Sequence, residues 1–281
     1  MKLLFKTGFI MILLITPAAV SFPQDAKPLF EIEKKFCKTL TETGISNAFG
    51  QYIAEDGILF IPTAAQGKSY YATHKNDFKG LFWEAEFAEM SSSGDFGYTT
   101  GPWRSVKISE SGDSTITYGH FNTVWQKING EWKFLIDCGI SYPKTAVRKD
   151  NAGLKPVQAA EPKNRRFVFE ELIEIDNDFA LLFTEKSIKE AYEKYASENI
   201  KVYRDNFYPT TGFKNSPFLL SAGTFYYTHM GGNASNTGDI AFTYGIISTN
   251  PDVPEFNYLK IWKKEGKAWK IVVDVISAVK K

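Results

Sequence analysis

The sequence predicts an α+β protein made of two tandem domains, each a mostly antiparallel sheet with helices packed against one face. Three observations carry that expectation. Leu29, Ile32, Phe36 and Leu40 recur at helical spacing, and 143 positions later Leu172, Ile175, Phe179 and Phe183 repeat the stripe. The run Ser93-Gly94-Asp95-Phe96-Gly97-Tyr98-Thr99-Thr100-Gly101 returns as Thr237-Gly238-Asp239-Ile240-Ala241-Phe242-Thr243-Tyr244-Gly245 at an offset of 144. Trp125 to Asp137 is matched by Trp262 to Asp274 at an offset of 137. A chain of 281 residues, 43% of them hydrophobic, is long enough and apolar enough to fill two cores.

The elements follow in order. Met1 to Lys6 carries two lysines, Gly8 to Val20 is nearly all apolar, and the small residues Ala18, Ala19 and Ser21 follow. Residues 1–22 therefore read as a secretory signal peptide cut between Ala19 and Phe22, since the apolar run falls short of the roughly 20 residues a spanning helix needs. The expected product is secreted or periplasmic, with no stable membrane insertion after cleavage.

The first domain is assigned to 27–147, a linker to 148–166 and the second domain to 167–281. Each domain opens with the striped helix. A short second helix follows at Gly44 to Tyr52, and Ser187 to Tyr195 keeps its Ile, Ala, aromatic and Tyr spacing. Gly-Asp ahead of an aromatic, threonine-rich run marks a turn entering a strand. Asn129-Gly130 and Glu265-Gly266 mark the turns of the closing hairpins. The drop in offset from 144 to 137 places a length change in the loop after Val106, where the second copy turns through Pro251 and Pro254. The linker holds Lys149, Gly153, Lys155, Pro156, Pro162, Lys163 and Arg165, a solvated composition.

Composition excludes several classes. A net charge of +1 offers no general field for nucleic acid. Two cysteines build neither a disulfide scaffold nor a cysteine-rich zinc site, and His74, His120 and His229 have no ligand spacing, so no metal and no cofactor is expected. No glycine-rich phosphate loop and no nucleophile elbow is present. Cys37 and Cys138 have the small apolar counterparts Ala180 and Val275. Two readings stay open for them: a helix-to-sheet disulfide, or a pair of buried free thiols.

Ala54-Glu55-Asp56-Gly57 after the second helix, the Ser93 to Gly101 run midway and Trp132-Lys133 to Asp137 at the end resemble the NTF2-like superfamily, most closely its DUF4440 or SnoaL-like group. The resemblance covers Leu29 to Tyr142 and extends more weakly to the second domain. It implies a cone, in which helices cross the concave face of a strongly curved sheet and leave a pocket at the open end. Members commonly pair through the outer faces of their sheets, which implies an intramolecular pseudo-dimer or a homodimer. The ketosteroid isomerase-like members use a strand carboxylate as base and a helix tyrosine in the oxyanion hole. Aligned with them, this chain places Ile61 and Tyr203 at the base position and Cys37 and Ala180 at the tyrosine position, which argues against that chemistry.

The resemblance points to a set of pocket-lining candidates: Tyr52, Trp83, Tyr98, Trp103, Asp137, Tyr195, Tyr203, Tyr227, His229 and Asp274. Asp137 and Asp274 recur in both domains on apolar strands, so each is either a ligand anchor or general base, or a structural pair. Tyr203, Arg204, Asp205, Tyr227 and His229 make the second domain the more polar. The expected function is binding of a small apolar or amphipathic molecule in the cone of an exported protein. Two alternatives stand beside it: an acid–base enzyme using Asp137, or Asp274 with His229, and a docking module that uses the outer sheet faces.

Overall fold

The computed structural model describes residues 25–144, 169–216 and 225–279. The expected signal peptide and linker lie outside the described residues.

The first domain begins with α1 (Lys27–Thr43) and α2 (Ile45–Tyr52). Pro28 stands in the first turn of α1, where a missing N–H costs nothing, and the stripe Leu29, Phe36 and Leu40 is buried together with Glu33. The chain turns between the helices at Gly44, whose φ of +90° and whose approach to the Asp77 backbone, 2.7 Å from where a Cβ would lie, admit only glycine. Then come β1 (Ile53–Phe60), β2 (Ala64–Gln66), α3 (Gly67–Thr73), β3 (Leu81–Trp83), β4 (Phe87–Met90), β5 (Phe96–Ile108), β6 (Ser114–Ile128) and β7 (Glu131–Tyr142). The β6–β7 turn has positive φ at both Asn129 and Gly130, the form that matches the twist of a hairpin.

The second domain repeats the order with α4 (Phe169–Glu185), α5 (Ile188–Tyr195), β8 (Ala196–Arg204), β9 (Thr210–Thr211), β10 (Tyr226–Ala234), β11 (Ile240–Ser248), β12 (Phe256–Glu265) and β13 (Ala268–Ala278). Ser187 caps α5: its hydroxyl accepts from the Glu190 amide at 3.1 Å, and the Glu190 carboxylate returns to the same hydroxyl at 3.2 Å.

The first sheet runs β2-β1-β7-β6-β5-β3, with β4 also on β5, and the second runs β10-β11-β12-β13-β8-β9. Among the described pairs only β1–β7 and β8–β13 are parallel. The registers coincide. Thr123 faces Asp137 across β6–β7, and Lys260 faces Asp274 across β12–β13. Leu59 faces Asp137, and Val202 faces Asp274. Even the bulges correspond, at Val124/Trp125 and Ile261/Trp262 and again at Ile53/Ile58 and Ala196/Lys201. Bulges bend a sheet, so matched bulges give matched curvature. The chain is thus two tandem α+β domains, each a curved, mostly antiparallel sheet covered by helices on its concave face, as the NTF2-like resemblance implies.

Alternation along the strands separates three cores. Under the first pair of helices lie Leu29, Phe36, Phe49, Trp125 and Phe134; under the second lie Phe179, Tyr192, Trp262 and Ile271. The third core lies between the sheets, where Phe96, Val124, Ile136 and Ile140 of one domain pack with Ile240, Phe242, Leu259 and Val275 of the other. Polar contacts close its margins: the Ser92 amide and hydroxyl donate to Asp239 at 2.8 and 2.7 Å, the Ser141 amide donates to Asp205 at 2.9 Å, and Lys263 pairs with Glu89.

This arrangement decides between the two readings of the cysteines and corrects two expectations. Cys37 and Cys138 are free thiols, and they cannot bridge because Cys37 rides on α1 at the concave side while Cys138 points into the intersheet core. Tyr98 and Tyr203 belong to that core too, not to a cone. The Tyr203 hydroxyl accepts from Thr100 at 2.9 Å, and the Tyr98 hydroxyl donates to Glu89 at 2.7 Å.

Candidate functional site

The concave face of the second domain collects charged and phenolic groups from every layer. Asp176 sits on the buried stripe of α4, one turn before Phe179. Tyr192 comes from α5 and Arg204 from the end of β8. Strand alternation aims Tyr227 and His229 of β10, Tyr258 and Lys260 of β12 and Asp274 of β13 at the same space. Lys260 and Asp274 are wholly buried, which for ionised side chains demands partners.

The partners form two linked groups. Asp176 Oδ2 accepts from the Tyr258 hydroxyl at 2.8 Å and lies 3.0 Å from His229 Nδ1, while Asp176 Oδ1 is 3.4 Å from Lys260 Nζ. The Lys260 ammonium is also caged by rings, 3.7 Å from the centroid of Tyr258, 4.4 Å from Tyr227 and 4.6 Å from Phe179. Asp274 Oδ2 accepts from Arg204 Nη2 at 2.5 Å and from the Tyr192 hydroxyl at 2.7 Å. Arg204 Nη1 also donates to the carbonyls of Tyr203 and Asp274, at 2.9 and 3.1 Å. Among the described residues, Asp274 Oδ1 and the Tyr227 hydroxyl are buried with no hydrogen-bond partner. Arg204 and His229 keep slight exposure, with side chains 13% and 16% exposed.

Electrostatics follow from burial set against pairing. Burial lowers the Lys260 ammonium, and the attraction of Asp176 and Asp274 recovers only part of the loss. Burial pushes Asp176 upward, but Lys260 and the bonds from His229 and Tyr258 outweigh it and hold the carboxyl below its ordinary value. Burial likewise works against the Arg204 guanidinium, and Asp274 more than restores it. Tyr192, Tyr227 and Tyr258 are raised well above the usual phenol range, by burial and then by the neighbouring charges, so all three remain donors at neutral pH.

The same positions in the first domain are filled differently. Glu33, the counterpart of Asp176, is satisfied by three neutral donors: Trp83 Nε1 at 2.7 Å, Trp125 Nε1 at 2.9 Å and the Thr99 hydroxyl. Phe49 replaces Tyr192, Ile61 replaces Arg204, Phe121 replaces Tyr258 and Thr123 replaces Lys260. Asp137 accepts from Thr123 at 2.6 Å, and burial raises its carboxyl to about 7, despite that bond and with a further push from Glu33. It lines a cleft of about 250 Å³ together with Leu59, Phe60, Tyr71 and, from the other domain, Asn257 and Ser277.

No known family profile matches the chain, and no curated protein matches it. Solved structures that it resembles include an NTF2-like superfamily protein from Salmonella enterica, 15% identical over 44% of this chain and 96% of that one, TM-score 0.35. The association domain of CaMKII from C. elegans is 10% identical over 40% of this chain and 92% of that one, TM-score 0.33. A ketosteroid isomerase-like protein from Erwinia carotovora is 13% identical over 41% of this chain and 94% of that one, TM-score 0.32. None of these similarities assigns a role to a residue.

Of the pocket candidates read from the sequence, Tyr227, His229 and Asp274 come together in the second domain. Trp83 holds Glu33, and Asp137 stands at the cleft. Trp103 lies across Gly119, where a Cβ would come within 2.4 Å of its indole. Tyr52 and Tyr195 spend their hydroxyls on Thr39 and Asp178 of the neighbouring helices. The base position shifts by one residue: the strand partners of Asp137 and Asp274 make Phe60 the counterpart of Tyr203, and Ile61 that of Arg204. Glu33, Asp176, Tyr192, Tyr258 and Lys260 escaped sequence reasoning. The signal for the first two was an acid at the same place in both buried helical stripes.

Proposed function

We propose that this is an exported NTF2-like protein, derived from a tandem duplication, whose second domain binds a small amphipathic molecule in its cone. One observation carries the reading: among the described residues, Asp274 Oδ1 and the Tyr227 hydroxyl are buried and unpartnered beside a caged ammonium. A buried polar group without a partner costs about 1–3 kcal/mol, so a ligand that supplies a donor to Asp274 and an acceptor to Tyr227 recovers stability as it binds. The aromatic walls take its apolar part. The charged residues at 1–22 and the apolar run behind them support export, and the matched registers and bulges support duplication.

The test is a thermal-shift screen of the protein against aromatic alcohols, hydroxy acids, sterols and sugars, repeated on Tyr227→Phe and Asp274→Asn. A ligand that raises the melting temperature of the wild type and loses its effect in both variants supports the site. Stabilisation by no class, or by one indifferent to both substitutions, defeats it.

A second reading, acid–base catalysis, is favoured by the His229–Asp176 contact, since a carboxylate orients an imidazole for proton transfer. Turnover of a bound molecule that stops in His229→Gln while binding persists supports it. The docking-module reading loses its surface, because the outer sheet faces cover one another.

A further inference from the structure

The two domains pose the same electrostatic problem and solve it differently. On β13, Asp274 is paired with the Arg204 guanidinium and lies across the ladder from Lys260, so the second domain carries cations of its own beside its strand acid. On β7, Asp137 is faced by Thr123, a neutral hydroxyl that satisfies one carboxylate oxygen. Among the described residues no cation pairs with Asp137, and its nearest charged influence is Glu33, of the same sign. The acid nevertheless opens onto a cleft of about 250 Å³ rather than onto packed side chains.

We infer that this cleft, at the junction of β1 and β7 with β12 and β13, is a binding site for a small organic ammonium, which takes beside Asp137 the part Arg204 plays beside Asp274. Among the described residues that line the cleft, Asp137 is the one carboxylate and none is basic. Asn257, which also lines it, gives one amide hydrogen to the Pro62 carbonyl at 2.8 Å, and its Oδ1, buried and without a partner among the described residues, is an acceptor. A carboxylate and an amide oxygen call for a donor-rich guest, and an ammonium brings three donors and the compensating charge. Leu59, Phe60, Ile61 and the Tyr71 ring supply apolar and aromatic wall for a short alkyl or aryl tail. The volume sets an upper limit, since it lies below the roughly 300–1,000 Å³ of sites for drug-sized molecules. An anion is excluded by Asp137 and Glu33 alike. The site is separate from the cone of the second domain and does not depend on that assignment.

The experiment is isothermal titration of the whole protein with benzylamine and with its uncharged analogue benzyl alcohol, at pH 8 and pH 5.5. Benzylamine is expected to bind at least about tenfold more tightly at pH 8, where Asp137 is ionised, and to lose at least about tenfold in Asp137→Asn; each is one unit of the logarithmic scale. Equal binding of benzyl alcohol, or benzylamine binding that survives Asp137→Asn, overturns the inference. A second measurement needs no variant. Carbon NMR of the Asp137 carboxyl in the wild-type protein should show its midpoint falling from about 7 when benzylamine saturates. A midpoint unmoved by the amine refutes the site.

Discussion

The Thr237 hydroxyl donates to the Ser93 hydroxyl at 3.2 Å, and these two residues are each other's counterparts, 144 positions apart. They meet where the domains are related by an approximate twofold axis. On either side the contacts are reciprocal: Ser92 donates to Asp239, and Asn236, the counterpart of Ser92, donates to Asp95, the counterpart of Asp239. A patch that pairs with its own copy is the signature of an isologous interface, here closed within one chain.

The intersheet core should make the two domains unfold together. Phe242 is buried there, stacked 6.4 Å from Phe96 across the boundary. Phe242→Ala should cost about 3–5 kcal/mol and shift one common transition in urea. Fluorescence reports on both sides through Trp125 and Trp262. Two resolved transitions, with only one displaced, would contradict the shared core.

Lys260→Met removes the caged ammonium and leaves Asp176 buried with the Tyr258 hydroxyl and the His229 ring as its remaining partners. Breaking a buried pair by one partner typically costs about 3–5 kcal/mol, and removing both partners often costs little. Asp176→Asn combined with Lys260→Met should therefore be more stable than Lys260→Met alone. Urea midpoints of the four proteins in that cycle provide the measurement, and simple additivity would argue against the pairing.

Asp137 gives the fold a pH slope. Its native value of about 7 exceeds the unfolded value near 3.8, so the native state binds the proton more tightly. The resulting stabilisation is complete below about pH 3.8 and is lost as pH rises through 7. Asp137→Asn should flatten this part of the stability profile between pH 4 and pH 7. An unchanged slope would mean that the carboxyl titrates normally.

Ser187→Ala deletes the cap of α5 and should destabilise the second domain by about 1 kcal/mol. Thr43→Ala, which removes a hydroxyl bonded to the Thr39 carbonyl within α1 and not an N-terminal cap, provides the control. Equal effects of the two would deny the capping role.

Alkylation of the native protein should give the same mass with and without reductant, and Cys138 should react only on unfolding. Burial, reinforced by the Asp137 charge, raises its thiol well above the ordinary value, which suppresses the reactive thiolate. A reductant-dependent mass would overturn the assignment of free thiols.

The correspondence of the two halves was legible because apolar spacing sets the elements: the stripes from Leu29 and Leu172 and the matched hairpins reappear as helices and strands in equivalent registers. The separation of the two sheet faces was harder to read. Tyr98 and Tyr203 look like pocket aromatics in one dimension, and only the parity of β5 and β8 turns them toward the other domain. A one-residue slip reverses every side chain of a strand, which is why the alignment that set Tyr203 against Ile61 misassigned the base position. Lys260 was hidden for a different reason. A lysine in a strand usually reads as solvent-facing, yet the period of two that places Tyr258 and Trp262 in the core places Lys260 between them. The buried acids were visible in principle, since Glu33 and Asp176 interrupt equivalent apolar stripes. Their partners come from distant strands, and no local pattern announces those.

The shielding of Val124, Ile136 and Ile140 by Ile240, Leu259 and Val275 means that neither half of the polypeptide has a finished exterior. A half expressed alone would bare an oily slab and seek a second copy of itself. Covalent tethering supplies that mate at a fixed ratio of one to one, however dilute the protein becomes.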